Sequence, residues 1–256
     1  MIDRPDAPTA RAVRDLAPLG SVRAAINLGN PILAQRDPVT GALGGVSVEL
    51  ARALGQRLGM EVTLVPFDSA GQVVAAIGAG AWDIAFLAID PLRATEISFT
   101  APYVIIEGGY LVREDSVLKT VSDVDRPGIK IAAGKNAAYD LYLTRTLKQA
   151  TLVHAPTSSG GIDLFLEGMA DVAAGIRKPL LAMAQQREGL RVLDGRFMLI
   201  EQAMGMPSGR EAGAHYLRRF IEEMKACGFV ADALARSGQA DALVAPPDDA
   251  SFQANR

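Results

Sequence analysis

The segment DIAFLAIDPLRATEISFTAPYV, Asp83–Val104, decides the fold of this chain. It opens with IAFLAI, Ile84–Ile89, a continuous apolar run of strand length that is typical of a strand in a buried parallel sheet. An Asp-Pro pair follows and favours a capped turn or short helix, within which Arg93 lies. The segment ends with Phe99-Thr100-Ala101-Pro102-Tyr103 and runs into a second apolar stretch. It therefore predicts a buried strand, a polar turn and a second extended segment.

Upstream of this segment, strand patterns alternate with helix patterns. The runs Val22–Leu28 and Val62–Pro66 predict strands, and apolar residues recur at helical spacing in Val46–Leu58 and Gly71–Ile77. Together with Ile84–Ile89 they form a β-α-β-α-β order, which indicates an α/β unit with a parallel sheet.

The same alternation starts again downstream. Strands are predicted at Tyr110–Val112, Ile129–Ala132, Leu152–His154, Val172–Ala174 and Arg191–Leu193. Helices are predicted at Ala137–Leu147, Ile162–Glu167, Leu180–Gln186, Glu211–Ala226 and Phe229–Arg236. The sequence therefore predicts two α/β units, with the last two helices packed on one of them. After Gly238 the chain is polar, and we expect a loose tail.

The composition argues against several classes of protein. The chain has 256 residues with 26 Lys and Arg against 29 Asp and Glu, so its formal net charge is -3. A nucleic-acid binder normally presents a basic face, so no nucleic-acid partner is expected. One cysteine and two histidines are too few for a structural zinc cluster, and we expect no metal and no cofactor. Cys227 lies in an amphipathic run, which predicts a small buried apolar side chain.

The sequence also bears on where the protein resides. No stretch approaches the roughly 20 apolar residues that span a membrane. The N-terminal segment MIDRPDAPTARAVRDLAPLG lacks the apolar run of a signal peptide. Two interpretations stay open: a signal was removed and a start Met added, or the protein stays in the cytoplasm.

The Asp83–Val104 segment resembles the signature of the family 3 extracellular solute-binding proteins, the polar amino-acid receptors of ABC importers. In that family an apolar strand leads to a polar turn with an arginine, held here by Arg93, and then to the Phe-Ser/Thr-x-Pro-Tyr pattern of Phe99–Tyr103. Gly45, Glu49 and Leu50 resemble the family's Gly-Phe-x-x-Asp-Leu helix start. The end, FIEEMKACGFVADAL, resembles its closing pair of helices. The resemblance covers roughly residues 20–238.

The resemblance implies a type II periplasmic binding protein fold, in which two α/β lobes are joined by two crossing hinge strands. Lobe one would comprise residues 1–104 and 203–256, and lobe two residues 108–199. The hinges would lie near 103–107 and 200–203. A ligand would be enclosed between the lobes, and the family's periplasmic location would apply.

Several candidate ligand-binding residues follow from the first signature. The resemblance implies that Arg93 grips the ligand carboxylate, and a guanidinium suits this because its rigid fork matches a carboxylate. The alternative is a pair between Arg93 and an acid such as Asp90. Asp90 stands where the family usually has Thr, so it either caps the following turn or meets a ligand amine. Ala88 replaces a Ser or Thr, which leaves only its backbone to contact a ligand.

Other candidates lie on loops that the resemblance places at the cleft. Lys135 and Asn136 resemble a Gly-Thr-Thr turn before a helix, where exposed N–H groups favour an anion. Asn136 either caps that helix and also faces the cleft, or only caps the helix. Lys135 either adds positive charge to the site or is simply solvated. Asn27 and Asn30 replace an acid and an aromatic residue of the family, and their amides suit neutral polar groups. Phe67 is either an apolar wall of the site or part of the core.

The most consequential departure from the family is at Ile176. In the family an aspartate at this position pairs with the ligand α-amino group, so the resemblance predicts poor binding of ordinary L-α-amino acids. Arg177 either makes the site selective for anions or points to solvent. Glu107, on the first crossing strand, either replaces the missing aspartate or pairs with Arg177 or Lys135.

The sequence therefore favours a non-enzymatic, monomeric receptor for a small carboxylate-bearing solute, with ABC permease subunits as partners. A cytoplasmic solute sensor or scavenger is one alternative. The other is an enzyme resembling cyclohexadienyl or arogenate dehydratases, for which Glu107 would be the candidate general acid. We assign no catalytic residue.

Overall fold

The computed structural model of the protein describes residues 7–248. The helices are α1 (Ala10–Leu16), α2 (Val46–Leu58), α3 (Ala70–Ala75), α4 (Ala138–Thr146), α5 (Ser158–Leu166), α6 (Arg177–Gln186), α7 (Glu211–Ala226) and α8 (Phe229–Arg236). The strands are β1 (Val22–Asn27), β2 (Gln35–Arg36), β3 (Leu43–Gly44), β4 (Val62–Phe67), β5 (Ile84–Ala88), β6 (Ile97–Arg113), β7 (Lys130–Gly134), β8 (Thr151–Ala155), β9 (Val172–Ile176), β10 (Leu190–Val192), β11 (Met198–Pro207) and β12 (Leu243–Val244).

The main sheet has the strand order β4-β1-β5-β11-β6-β9-β7-β8 within the described residues. Strands β4, β1 and β5 are parallel to one another, and so are β9, β7 and β8. Between these two parallel groups, β6 and β11 run antiparallel to each other and to their neighbours. We call the β4-β1-β5 group with α1, α2, α3, α7 and α8 lobe one, and the β9-β7-β8 group with α4, α5 and α6 lobe two. The α/β class and the two-lobe architecture are thus confirmed, while the chain boundaries of the lobes stay a prediction.

The two crossing segments are longer than the sequence predicted. The strand predicted at Tyr110–Val112 is the end of a strand that begins at Ile97 and passes through the first predicted hinge. Its partner β11 spans the second predicted hinge, and the pairing between the two strands shifts register between Gln202 and Gly205. Both strands are buried over most of their length, because each one contributes to the core of both lobes.

Local sequence accounts for the start of helix α2, which follows β3 with Gly45 as its N-cap. Gly45 has a φ of 103°, and a Cβ at this position would lie 2.4 Å from the carbonyl oxygen of Leu33. Only glycine tolerates both conditions, so the chain can turn sharply into α2 here. The apolar face of α2, which includes Leu50 and Leu54, then packs into the core.

The C-terminal segment corrects two predictions. Helix α7 packs against α1 and β6, and α8 packs against α2, so both helices return to lobe one. The tail after Gly238 is not loose as far as residue 248, because β12 pairs with Val104 and Ile105 and the Ala245 N–H donates to the Tyr103 carbonyl. The remainder of the predicted tail lies outside the described residues. Cys227 ends α7 and is exposed, so the prediction of a buried side chain is wrong.

Candidate functional site

A cleft between the lobes contains two adjoining chambers. The inner chamber, of about 40 Å³, is lined by Arg93 and Ala88 of lobe one and by Gln202 of β11. From lobe two it is lined by Gly134, Lys135, Ala137 and Ala138, while Asn136 of the same turn is not in its wall. The outer chamber, of about 480 Å³, opens from it and is lined by Asp68 and by the start of α5. Four residues line both chambers: Gly29, Tyr139, Ser158 and Ile176. The inner chamber has room for about one carboxylate group or water, and the outer one for a larger solute body.

Arg93 is the central side chain of the inner chamber. It is only 3% exposed, its Nη1 donates to the Ala88 carbonyl at 2.9 Å, and its Nη2 donates to the Asn136 carbonyl across the cleft at 2.8 Å. Its Nε–H is buried and has no hydrogen-bond partner among the described residues. Burial lowers the pKa of Arg93 to about 10, and the negative charge of Asp90 offsets part of that effect. Arg93 is therefore a buried cation with hydrogen-bonding capacity left over.

The turn that meets Arg93 from lobe two is held in an unusual conformation. Asn136 has a φ of 61°, and it is the one non-glycine residue with positive φ among residues 7–248. The buried Asp140 accepts the Asn136 N–H at 2.7 Å, and His154 Nε2 lies 2.7 Å from the other oxygen of that carboxylate. Asparagine tolerates the left-handed region better than most residues. Asp140 thus fixes the turn that directs the Asn136 carbonyl towards Arg93.

The predicted capping role of Asn136 is wrong. Helix α4 begins at Ala138, its N-cap is Ala137, and no side chain caps its first N–H groups. Its N-terminus lines the inner chamber, and the α5 N-terminus, where Thr157 accepts the Gly160 N–H, lines the outer one. Helix N-termini carry partial positive charge, so both ends favour an anionic ligand group. Lys135 is exposed beside the inner chamber and adds positive charge.

Asp90 is not in the wall of either chamber. Its Oδ1 accepts the Leu92 N–H at 2.9 Å and so holds the turn before Arg93. The predicted N-cap role is wrong, because the short 3-10 helix Arg93–Thr95 has Leu92 as its N-cap and no side chain caps it. Its Oδ2 lies 2.8 Å from Nη2 of Arg145, which belongs to α4 of lobe two. The two lobes are therefore joined directly by an ion pair as well as by the bond from Arg93 to Asn136.

The structure brings two asparagines to the inner chamber: Asn27, the last residue of β1, and Asn30, on the loop that follows. The side-chain oxygen of Asn27 accepts the Gly29 N–H, and that of Asn30 accepts the Ile32 N–H. These two bonds shape the loop, and the amide groups line the chamber. Ala88 lines it too, and its carbonyl is already occupied by Arg93.

Besides Asp90, the predicted residues Phe67, Glu107 and Arg177 lie outside the walls of both chambers. Phe67 packs in the core cluster that contains Val73 and Trp82, which supports its core interpretation. Glu107 lies behind the hinge, where Arg196 Nη1 donates to it at 2.9 Å and Arg177 Nε lies 3.8 Å away. Arg177 also donates to the carbonyls of Leu193 and Gly195. Glu107 therefore pairs with Arg196, which the sequence did not predict, and more loosely with Arg177, as one of the predicted alternatives has it. It lies in the wall of neither chamber.

Ile176 does lie in the wall of both chambers, at the end of β9. Sequence reasoning missed other residues of these walls, among them the polar side chains Gln202, Tyr139 and Ser158. Gln202 is a buried polar residue on β11 opposite Ala88, and a lone amide within an apolar strand could have revealed it. The Tyr139 hydroxyl donates to Ser158 at 2.9 Å, a contact between two helix starts that no sequence signal shows. Burial raises the pKa of Tyr139.

Two further findings bear on the chemistry. Between residues 7 and 248 there is no group of three or more His, Cys, Asp or Glu side chains that could hold a metal ion. Among the helices of the same residues, none combines the length and the apolar content that a membrane-spanning segment needs.

Comparison with known proteins gives a family and several relatives. The family model described as "Bacterial extracellular solute-binding proteins, family 3" matches residues 24–238. The Virulence sensor protein BvgS of Bordetella pertussis is 28% identical over 136 residues, which are 50% of this chain and 10% of that protein. This chain therefore spans about a tenth of the sensor's length. The Glutamine-binding protein of Geobacillus stearothermophilus is 22% identical over 187 residues, which are 69% of this chain and 68% of that protein.

Solved structures share the fold. The amino acid ABC transporter substrate-binding protein AbpA from Streptococcus pneumoniae, solved bound to L-arginine, has a TM-score of 0.75 at 20% identity. The match covers 88% of this chain and 97% of that one.

Proposed function

Because the chain belongs to the bacterial extracellular solute-binding proteins of family 3, we propose that it is a receptor whose lobes close around a small solute with a carboxylate group. The carboxylate lies in the inner chamber, and the rest of the solute lies in the outer chamber.

The buried guanidinium of Arg93 carries this proposal. A cation that is 3% exposed has lost most of its hydration, and none of the described residues lining the inner chamber is acidic. An isolated buried charge is unfavourable unless an opposite charge or several hydrogen bonds compensate it. A ligand carboxylate supplies both, since it accepts the unused Nε–H and brings the missing negative charge. The N-terminus of α4 favours the same anion.

Ile176 determines which carboxylates bind well. An α-amino group next to the ligand carboxylate would meet this apolar side chain in the wall of both chambers. An ammonium group taken into a dry site needs a paired charge or several acceptors, and isoleucine offers neither. The charged residue in the wall of the outer chamber is Asp68, further from Arg93 along the cleft. The preferred solute therefore has no α-amino group, or carries its cationic group towards the outer chamber.

Closure follows from contacts that join the lobes directly. Arg93 of lobe one donates to the Asn136 carbonyl of lobe two, and the Asp90–Arg145 pair forms a second connection. A Cβ on Gly71 would lie 3.0 Å from the Asn136 Cβ, so glycine lets the two lobes approach this closely without displacing the Asn136 side chain. Bending takes place in β6 and β11, and a solute between the lobes favours the closed arrangement.

The receptor works outside the cytoplasm and delivers its solute, as a monomer, to the permease subunits of an ABC importer. The family description and the transport role printed for AbpA support this assignment. The match to a virulence sensor supports a second candidate, a receptor unit that reports solute binding to a sensor. Neighbouring genes for permease and ATPase subunits would favour import over sensing.

We propose binding without catalysis. A dehydratase on this fold needs a general acid in the cleft. Glu107, the acid nominated for that role, lies behind the hinge in a pair with Arg196, so it does not face the solute. Incubation with prephenate or arogenate should give no product, and turnover would contradict the proposal.

Calorimetry with matched ligand pairs tests the proposal. Each pair consists of an amino acid and its analogue without the α-amino group: L-glutamine with glutaramate, L-lysine with ε-aminocaproate, and L-arginine with δ-guanidinovalerate. We expect at least one analogue to bind, and to bind no more weakly than its amino acid. The interpretation of Ile176 is wrong if the α-amino group improves affinity by more than about tenfold, or 1.4 kcal/mol. If no carboxylate in the panel binds, the proposed ligand class is wrong.

A further inference from the structure

The pair between Asp90 and Arg145 places a second arginine within the electrostatic reach of the ligand site. Asp90 is 3% exposed, and its two carboxylate oxygens have different partners: the Leu92 N–H within its own turn, and Arg145 from the other lobe. Asp90 lies three residues before Arg93 in the same turn, and its charge acts on the Arg93 guanidinium. The side chain of Arg145 is 43% exposed, so it can separate from Asp90 without leaving a buried cation.

The charges around the inner chamber sum differently with and without Arg145. Asp90 and Arg93 are not in direct contact, but their charges act on each other and sum to zero on lobe one. With Arg145 against Asp90, these three side chains sum to one positive charge, in addition to that of Lys135. We propose that Arg145, although it lies outside both chambers, sets the affinity of the site for an anionic solute by engaging Asp90 when the lobes meet.

The two states of the pair explain how closure and anion binding support each other. When lobe two moves away, Arg145 moves with α4, and the charge of Asp90 acts on Arg93 without competition. The open site then attracts an anion weakly. When the lobes meet, Arg145 takes up the charge of Asp90, and the positive charge of Arg93 is free for the solute carboxylate. The solute completes the charge balance, so it stabilises the same arrangement that strengthens its own binding. Arg145 is thus a positioning residue that acts through Asp90.

This inference rests on the proposed receptor function, so its test has one arm that needs no solute. Spin labels at Gln56→Cys on α2 and Asp163→Cys on α5 report the distance between the lobes in a Cys227→Ser background. Both label positions are exposed, one on each lobe. Double electron–electron resonance then measures the closed fraction of the unliganded protein at low and at high salt.

We expect the closed-to-open ratio to be about two- to fivefold lower in Arg145→Ala than in the wild type at low salt, as for a partly exposed ion pair. High salt should reduce this difference. Arg145→Lys keeps the charge and should retain most of the closed fraction. The matched control is Lys148→Ala, which removes an exposed cation from the same lobe and should leave the ratio unchanged. In an Asp90→Asn background, Arg145→Ala should have no further effect. Equal distance distributions for wild type and Arg145→Ala would overturn the proposal.

The second arm measures affinity for glutaramate by calorimetry. Arg145→Ala should weaken binding by about three- to tenfold, because Asp90 keeps its charge and competes for Arg93. Asp90→Asn should weaken it less, since the competing charge is removed together with the pair. A residue that only held the lobes together would give equal losses in both variants, so equal losses would contradict the electrostatic role. If glutaramate does not bind the wild type, the proposed ligand is wrong, while the distance arm still decides the role of Arg145.

Discussion

Replacement of Arg93 by alanine is the most direct test of the site. The side chain makes two hydrogen bonds to carbonyls, and only the one to Asn136 crosses between the lobes. Hydrogen bonds to charged groups contribute about 1.5–3 kcal/mol, so closure should become less favourable by about that amount. This first loss applies to every solute, whether charged or neutral.

A second loss applies to carboxylates alone. A desolvated charge pair that loses one partner weakens binding by about 2–5 kcal/mol, or about thirtyfold to several thousandfold. The side chain of Arg93 is buried deeply enough for this range to apply. Arg93→Ala should therefore lose more affinity for a carboxylate than for a neutral solute of the same shape.

Calorimetry with glutaramate and its neutral diamide, glutaramide, separates the two losses. The wild type should prefer the carboxylate, and Arg93→Ala should lose that preference. Arg196→Ala is the matched control, because it removes an arginine that pairs with Glu107 behind the hinge. A preference that survives in a folded Arg93→Ala variant, as judged by circular dichroism, would refute the assignment of the carboxylate to Arg93.

Three further predictions follow from named groups. Burial lowers the pKa of Arg93 to about 10, so its guanidinium is charged below that pH. The Kd for glutaramate should therefore be constant between about pH 7 and 9 and rise above about pH 10. A loss of affinity already near neutral pH would point to another group. Ile176→Asp should raise the affinity for L-glutamine relative to that for glutaramate by about tenfold or more, whereas Ile176→Asn should not. If calorimetry finds this ratio of affinities unchanged in Ile176→Asp, position 176 does not meet the α-amino group. Asp83 is fully buried and accepts hydrogen bonds from Arg23 at 2.8 and 2.9 Å, so Asp83→Ala should lower the free energy of unfolding in urea by about 3–5 kcal/mol. An unshifted urea midpoint would contradict this last prediction.

The sequence predicted the parts of the fold that depend on local pattern. The helix at Val46–Leu58 and the strand that begins at Ile84 were predictable because the spacing of their apolar residues follows the period of the element. The predicted ends of the shorter helices differ by a few residues. Helix α5 starts at Ser158 rather than Ile162, because two glycines and two serines in its first turn hide the apolar period.

The candidate site was predictable only where a motif marks it. Arg93 and Ile176 lie where the resemblance implies, and their roles in binding stay predictions. The sequence left Glu107 between a cleft role and a pair with Arg177 or Lys135, because its strand is apolar on both sides. A strand of this kind has no alternation that tells one face from the other. Pairing with β11 and β9 places Glu107 against Arg196 and outside the walls of the two chambers.

The sequence by itself determined the α/β class, the order of the two units and the position of the arginine turn. These features rest on periodicity and on short motifs, which act within a few residues of chain. Only the tertiary structure decided that Arg145 meets Asp90, that the Asn136 carbonyl meets Arg93, and that the tail adds a strand beside Ile105. Such partners are distant in sequence, and their choice depends on how the sheet aligns the ends of its strands. No local propensity carries that information, because it arises from strand order and from the contact between the two lobes.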